Sequence, residues 1–447
     1  MGTSQPPVVG IDFGTTNSSV AVVSPAGEVQ VARFPYMGQL TDAYRSLLYF
    51  ERAEAAPRTV DCWTGPAAIE HYLAAETKGR LIQSLKSFLA SRSLVNTHVL
   101  GRSRRIEELI ARILSDLRTE ASAQFGFDIR EATVGRPVRF VGSTSDEDDA
   151  FAESRLAEAF KTAGFERVSF ELEPVAAAHQ YESTLNHDEL ILIGDFGGGT
   201  SDFSLINVGS TVRRRGRQAS DLLGTAGLGL AGDAFDAQIV RHLVSPALGA
   251  GSEQRSTMGR LLAVPAWPYA SLERWHHLSF LKTNEVLNML DTIKWQAVHP
   301  DMIEALIYLI ENDLGYQLHQ AVQKVKCDLS SHREAKFTFK DGDLTLDAVV
   351  YRPDFESWIG PDLTQIETSV DSLLEQTSVS RNDVDAVFLT GGSSFVPAVR
   401  RLFISRFGEH KIRAGNEFTS VAMGLAWKAA SSLQGVASSP SGRMYDQ

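Results

Sequence analysis

Two stretches of this chain share one local pattern: IDFGTTNSSVAV at 11–22 and GDFGGGTSDFSL at 194–205. Each is an apolar run, an Asp, an aromatic, a cluster of Gly, Thr and Ser, then a second apolar run. The apolar runs predict strands and the small residues predict a tight turn, so each stretch is expected to be a β-hairpin. One such hairpin constrains little. Two with the same Asp–aromatic–Gly order point to an internally duplicated chain.

The residue types also imply a chemistry. Backbone N–H groups of a Gly-rich turn can converge on an anion, because Gly reaches conformations that other residues avoid. Gly14, Thr15, Thr16, Asn17 and Ser18 supply donors in the first copy, and Gly197, Gly198, Gly199, Thr200 and Ser201 in the second. Two such loops facing each other would grip a polyphosphate. Each loop also carries a carboxylate, Asp12 or Asp195, with Asp202 just beyond. Carboxylates beside phosphates call for a hard cation, and Mg²⁺ is often held by one or two carboxylates plus phosphate oxygens. The plain alternative is a pair of ordinary hairpins with turn-forming residues.

Other nucleotide signatures fit less well. The chain has no Gly-Lys dipeptide, so a P-loop is excluded. GLGLAG at 227–232 matches G-x-G-x-x-G, but it lies mid-chain after the polar stretch QASDLLGTA, and nothing acidic is suitably placed in the helix AFDAQIVRHLV that follows. It is expected to be a Gly-rich lead into a helix.

Strand and helix patterns alternate along the chain, which predicts an α/β protein. Strands are expected at 8–13, 18–23, 29–34, 46–50, 132–138 and 166–172, and helices at 66–92, 103–125, 145–165 and from Glu173. Ser145, the acids after it and Gly164 bound the third of these helices. Two helices are expected over 300–331, broken near Asp313 or Gly315, then alternating strands at 335–349. A strand, a Gly-Gly turn and a basic helix follow at 385–407, and a frayed tail is expected at 431–447.

With 447 residues, about two to four domains are expected. The net charge of −12 gives no reason to expect nucleic-acid or anionic-membrane binding. Two cysteines far apart, Cys62 and Cys327, exclude a disulfide framework. The N-terminal MGTSQPPVVG has neither the basic nor the apolar part of a secretory leader, and Pro6 breaks the myristoylation pattern. No apolar run approaches the ~18 residues of a membrane span. A cytoplasmic protein is expected.

The motifs DFGTTNS, EPVAAA, DFGGGTSDFS, GLAGDAFD, KVKCDLSS and LTGGSSFVP occur together, and in this order. In this they resemble the nucleotide-binding domain of the heat shock protein 70 (DnaK) family, within the actin-like ATPases. The resemblance runs from about Val8 to about Ala429, with divergence near 245–310, and the length and the Trp-rich LAVPAWPYASLERWHH are most similar to the short YegD-like branch. It implies two lobes, 8–187 and 188–430, each on a duplicated ribonuclease H-like βββαβαβα core around a nucleotide cleft.

It also implies roles. Asp12, Asp195 and Asp202 would hold Mg²⁺, mostly through water, with K⁺ a further candidate cation. Thr15 would meet the γ-phosphate, and Lys86, Glu173 and Thr200, with Asp195, would serve the attacking water. Gly232, Gln323, Lys326, Cys327, Ser330, Gly391, Gly392, Ser393 and Phe395 fall at adenosine-binding positions. The chemistry agrees, since phosphoryl transfer to water needs positioning and charge neutralisation more than covalent steps.

The chain departs from the family pattern at several points. The two arginines that sandwich adenine are replaced by Cys327 and Phe395, and the adenosine-helix glutamate by Gln323. Pro137 fits the interlobe switch, but Arg155 falls two positions out of register. After GLAWKAASSL only a short polar stretch remains, so a peptide-binding β-sandwich is not expected. The resulting expectation is a Mg²⁺-dependent, slow ATPase related to chaperones: a monomer acting through protein partners, a co-chaperone or client. An actin-fold sugar kinase and a non-catalytic nucleotide-gated scaffold are the alternatives.

Lesser features are read conservatively. RRRGR at 213–217 is expected to be a solvated hairpin edge, Trp267 and Trp275 core or interlobe packing, and Cys327 a small helical hydrophobe. His276 and His277 lack the spacing of a helical metal site.

Overall fold

The fold is described from a computed structural model, over residues 8–437 except 25, 37, 54–55, 76–78, 184, 257, 275–277 and 415–418. His276, His277 and Trp275 therefore lie outside the described residues. The chain divides into two compact units. The first takes residues up to Gly229, Ser369–Gly392 and Phe403 onward; the second takes Leu230–Thr368 and Ser393–Leu402.

The duplication is explicit in the first unit. One sheet is built from β1 (Val9–Phe13), β2 (Asn17–Val23), β3 (Val29–Val31), β4 (Glu131–Arg136) and β5 (Arg167–Leu172). A second is built from β6 (Asp188–Phe196), β7 (Ser201–Gly209), β8 (Leu222–Leu228), β9 (Ala386–Thr390) and β10 (Ile412–Ala414). The spatial orders are β3-β2-β1-β4-β5 and β8-β7-β6-β9-β10, the same permutation twice. In each, a three-stranded antiparallel meander meets two parallel strands. The first sheet gains a short extra strand, Tyr44–Arg45, beside β2.

The hairpins match residue for residue. Asp12 pairs with Ser19 and Phe13 with Ser18; Asp195 pairs with Asp202 and Phe196 with Ser201. Opposite residues of an antiparallel pair project from the same face. Each Asp therefore shares its face with the residue seven positions on, a serine in one copy and a second aspartate in the other.

Helices Glu173–Glu182 and Ser420–Ala437 join the two sheets. Val175, Ala176, Val421 and Leu425 share one core with Ile191, Ile193, Ile206 and Phe388 of the second sheet. Ala422 and Ala426 pack on Ala21 of the first. Small residues let these backbones approach closely. A β-carbon on Gly424 would lie 1.7 Å from the carbonyl oxygen of Ala176.

In the second unit, helices Pro300–Glu311 and Gly315–Ser331 flank Asp313, whose φ of 50° makes the break. The alternating segment forms the hairpin Glu334–Asp341 with Leu344–Tyr351.

Several expectations are corrected. The helix over 66–92 is instead helix Gly65–Ala74, strand Arg80–Gln83 and a 3₁₀ turn at Leu85–Phe88. Pairing of Arg80–Gln83 with Leu47–Phe50 overrides the helix-forming composition. The helix expected from 103 begins at Ile106, because Arg102–Arg105 pairs with Asn96–Val99. RRRGR is no hairpin edge: Ser210–Arg215 is a short helix, in which Arg213 donates to the carbonyls of Glu182 and Leu185, while Arg215 pairs with Asp221. Trp267 is not core but 40% exposed, and Cys327 is exposed on its helix. The last helix runs to Ala437, into the stretch expected as a tail.

Overpacking the junction between the two sheets tests this account. Gly424→Val is expected to cost about 1–3 kcal/mol or more, read as a fall in unfolding midpoint of several degrees. Gly360→Ala would be the control for glycine loss, its would-be β-carbon meeting nothing and its φ lying outside the left-handed region.

Candidate functional site

The 3₁₀ turn Leu85–Phe88 carries Lys86 inward, and the helix starting at Glu173 carries that carboxylate toward it. Pro174 at the second helical position suits the helix start, and an acid in the first turn suits the helix dipole. The Lys86 Nζ stands 2.6 Å from Glu173 Oε1, and both residues are buried. Asp195 and Asp202 are also buried, and Asp12 is half-buried. One ammonium thus stands among four carboxylates.

The imbalance shows in the proton affinities. Burial raises the Asp12 carboxyl to about 7, with Glu173 pushing the same way and Lys86 opposing. Asp202 is raised to about 7 by burial and then Glu173, although Thr200 and the backbone N–H groups of Val138 and Arg139 favour its charged form. Val138 N–H donates to Asp202 Oδ1 at 2.8 Å. Asp195 lies well above the usual carboxylate range through burial and then Glu173, Asp12 and Asp202. Burial opposes the charge of Lys86, but Glu173, Asp12 and Asp202 together hold its pKa above the ordinary value.

The tips of the two hairpins lie together. A β-carbon on Gly199 would sit 3.5 Å from Thr15 Oγ1 and 3.7 Å from Ser87 Oγ, so the second glycine loop passes directly over the first hydroxyl loop. Ser18 Oγ bonds Ser46 Oγ at 2.8 Å, and Arg45 donates to Asn17 Oδ1 at 2.9 Å, which ties down the first tip. Gly391, with φ of 81°, follows β9 so closely over Phe196 that a β-carbon would meet its carbonyl oxygen at 2.2 Å.

These carboxylates suit a divalent cation. Three with raised proton affinity and a single ammonium leave positive charge wanting, and oxygen-only donors suit a hard ion. Among the described residues, no group of three or more His, Cys, Asp or Glu is placed to ligate a metal directly.

The adenosine set is arranged differently. Within the second unit, Lys326 Nζ donates to the Gly232 carbonyl at 3.1 Å and to Asp236 Oδ2 at 2.9 Å. Gln323 also hydrogen-bonds Asp236, and Ser330 Oγ donates to the Lys326 carbonyl. Lys326 is therefore already engaged by protein groups. Although Cys327 is exposed as a residue, partial burial of its thiol raises the thiol pKa. Ser393 is buried and Phe395 exposed, on the 3₁₀ turn Gly392–Phe395.

Sequence reasoning passed over Asp236, although GDAFD places it one helical turn after Gly232. It also passed over Glu107, which pairs with Arg155 inside the fold. Arg155 further donates to the carbonyls of Phe88, Leu89, Ser91 and Leu94, bracing the chain just after Lys86. No local motif announces these bonds; they join residues far apart in sequence.

The raised carboxyls predict a pH dependence. Between about pH 4 and 7 the folded state keeps protons on Asp12 and Asp202 that the unfolded chain releases. Stability then falls as pH rises through that window. The unfolding midpoint of the protein without nucleotide or metal is expected to drop from about pH 5 to 8, and Asp202→Asn should flatten part of that drop. An unchanged slope in the variant would refute the assignment.

The family model described as Hsp70 protein matches residues 74–254 and 309–439. That is more than half of the chain, and it takes in Lys86, Glu173, the second hairpin, the helix with Lys326 and the turn at Gly391. Such proteins bind ATP and, as a family, hydrolyse it, on the actin-like ATPase fold that the two equivalent sheets display. This chain belongs to the Hsp70 family.

Proposed function

We propose that the protein is a Mg²⁺-dependent ATPase that removes the γ-phosphate of ATP slowly, in lobes 8–187 and 188–430, and works through protein partners as a chaperone-related regulator. The observation that carries this reading is the buried Lys86–Glu173 pair amid Asp12, Asp195 and Asp202, beside two converging hairpin tips. Family membership supports the ATP-binding part.

In this reading the backbone N–H groups at Gly14–Asn17 and Gly197–Ser201 receive the phosphates. Glu173 and Lys86 orient the attacking water, and Glu173 accepts its proton as the bond to phosphorus forms. Thr200 assists at that water. Mg²⁺, held through water by Asp12, Asp195 and Asp202, would supply neutralising charge. The nucleoside would be met by Gly232, Gln323, Lys326, Cys327, Ser330, Gly391, Gly392, Ser393 and Phe395, with Phe395 offering a stacking face where the family has arginine. K⁺ is a further candidate beside the phosphates.

Calorimetric titration of ATP with and without Mg²⁺, followed by phosphate release, tests the reading. Tight Mg²⁺-dependent binding is expected, tightening as pH rises past about 7 because the cation displaces carboxyl protons. Lys86→Ala should abolish phosphate release while ATP still binds. It should also cost about 3–5 kcal/mol of stability, because Glu173 is left buried and unpaired. No ATP binding by a folded wild-type protein would overturn the proposal.

A further inference from the structure

Lys86 sits on a short 3₁₀ turn, and the chain after that turn has no regular structure until the strand that starts at Asn96. Irregular backbone inside a fold needs partners for its carbonyl groups. One side chain serves four of them. Arg155 Nη1 donates to the carbonyls of Phe88, Leu89 and Ser91 at 3.1, 3.0 and 3.1 Å, and Nη2 donates to that of Leu94 at 3.3 Å. Its Nε donates to Glu107, and both side chains are buried. Phe88 and Leu89 are the second and third residues after Lys86.

The grip comes from one face of helix Asp146–Thr162. Phe151, one turn before Arg155, has its ring centroid 5.4 Å from the Arg155 guanidinium and 4.7 Å from that of Arg92 on the gripped segment. Arg92 also pairs with Asp148 of the same helix at 3.4 Å. Residues 148, 151 and 155 share a helical face.

On the other side of the turn, Ser84 is buried with a φ of 56°. A serine holds that left-handed backbone only where its surroundings impose it. Strand Arg80–Gln83, paired with Leu47–Phe50, fixes the chain up to that point. Lys86 is thus held between a strained residue anchored by a strand and a guanidinium clamp. All of these groups lie in the first unit.

Stability alone does not account for the clamp. A buried ion pair is often no better than an apolar replacement, because both charges leave water. Here Glu107 Oε2 is buried with no hydrogen-bond partner among the described residues, so the pair is incompletely satisfied. An apolar side chain could not hold four carbonyl groups at set positions. A planar fork with five donors can.

We propose that Arg155 is a positioning residue for the proposed attacking-water site: through the carbonyls of Phe88, Leu89, Ser91 and Leu94 it fixes the turn that aims Lys86 at Glu173. It acts through Lys86, not by contact with the nucleotide. Its effect on rate rests on the ATPase reading; its effect on the Lys86–Glu173 pair does not.

Arg155→Lys keeps a positive charge beside Glu107 but lacks the fork. Phosphate release over a range of ATP concentrations, taken well below each protein's unfolding midpoint, should show kcat lowered about tenfold or more with KM within about twofold. Phe151→Leu leaves the Arg155 hydrogen bonds in place and should lower kcat about two- to threefold with the same split. It is the milder change, and it replaces Arg155→Lys in both measurements if that variant does not fold. The second measurement needs no activity. Unfolding midpoints of the wild type, Arg155→Lys, Lys86→Ala and the double variant should be non-additive. Loss of Lys86 should lower the midpoint less in the Arg155→Lys background, although Lys86 and Arg155 share no hydrogen bond.

An unchanged kcat in the folded variant, a loss of kcat matched by an equal rise in KM, or additive midpoints would each overturn the proposal. If the folded wild type releases no phosphate, the ATPase reading fails, and the midpoints alone decide the role of Arg155.

Discussion

A single ammonium group holds the central cluster together. Lys86 is buried against Glu173, and Asp12, Asp195 and Asp202 gather around the same point. Four carboxylates cannot all ionise out of water beside one positive charge. The protein resolves this by holding protons more tightly on the aspartates: burial raises Asp12 and Asp202 to about 7, and burial with the neighbouring carboxylates raises Asp195 well above its ordinary value. On the proposed reading, a bound cation would displace those protons.

The rest of the first unit brings these groups to one place. Lys86 rides on a 3₁₀ turn whose following chain is braced by the buried guanidinium of Arg155. Glu173 begins a helix packed against the second sheet. Asp12 and Asp195 end the equivalent strands of two sheets of the same topology. The close approach of two helices, permitted by Gly424, joins one sheet to the other. Small residues at that junction therefore support the geometry of the charges.

The duplicated halves have diverged where chemistry differs. Opposite Asp12 stands Ser19, whereas opposite Asp195 stands Asp202. The second hairpin thus brings an additional carboxylate, fastened by the Val138 N–H of the loop after β4. That bond links the second hairpin to the first sheet. In the second unit, Lys326 and Asp236 form a comparable buried anchor between two helices, beside the Gly-rich turn at Gly232.

Residue order alone determined the repeated hairpins, their acid-and-hydroxyl composition and the α/β alternation, because turn chemistry and strand periodicity are local properties. Lys86 and Glu173 were singled out only by what the resemblance to a known family implies. Only the tertiary structure decided that these two meet at 2.6 Å, that Arg155 braces the chain beyond Lys86, and that Lys326 is bound to Asp236. Each joins groups far apart along the chain, and no local pattern encodes such pairings. The stretch 66–92 shows the same limit from the other side. Its composition favours a helix, but pairing with Leu47–Phe50 made part of it a strand, because long-range hydrogen bonds and burial outweigh local propensity.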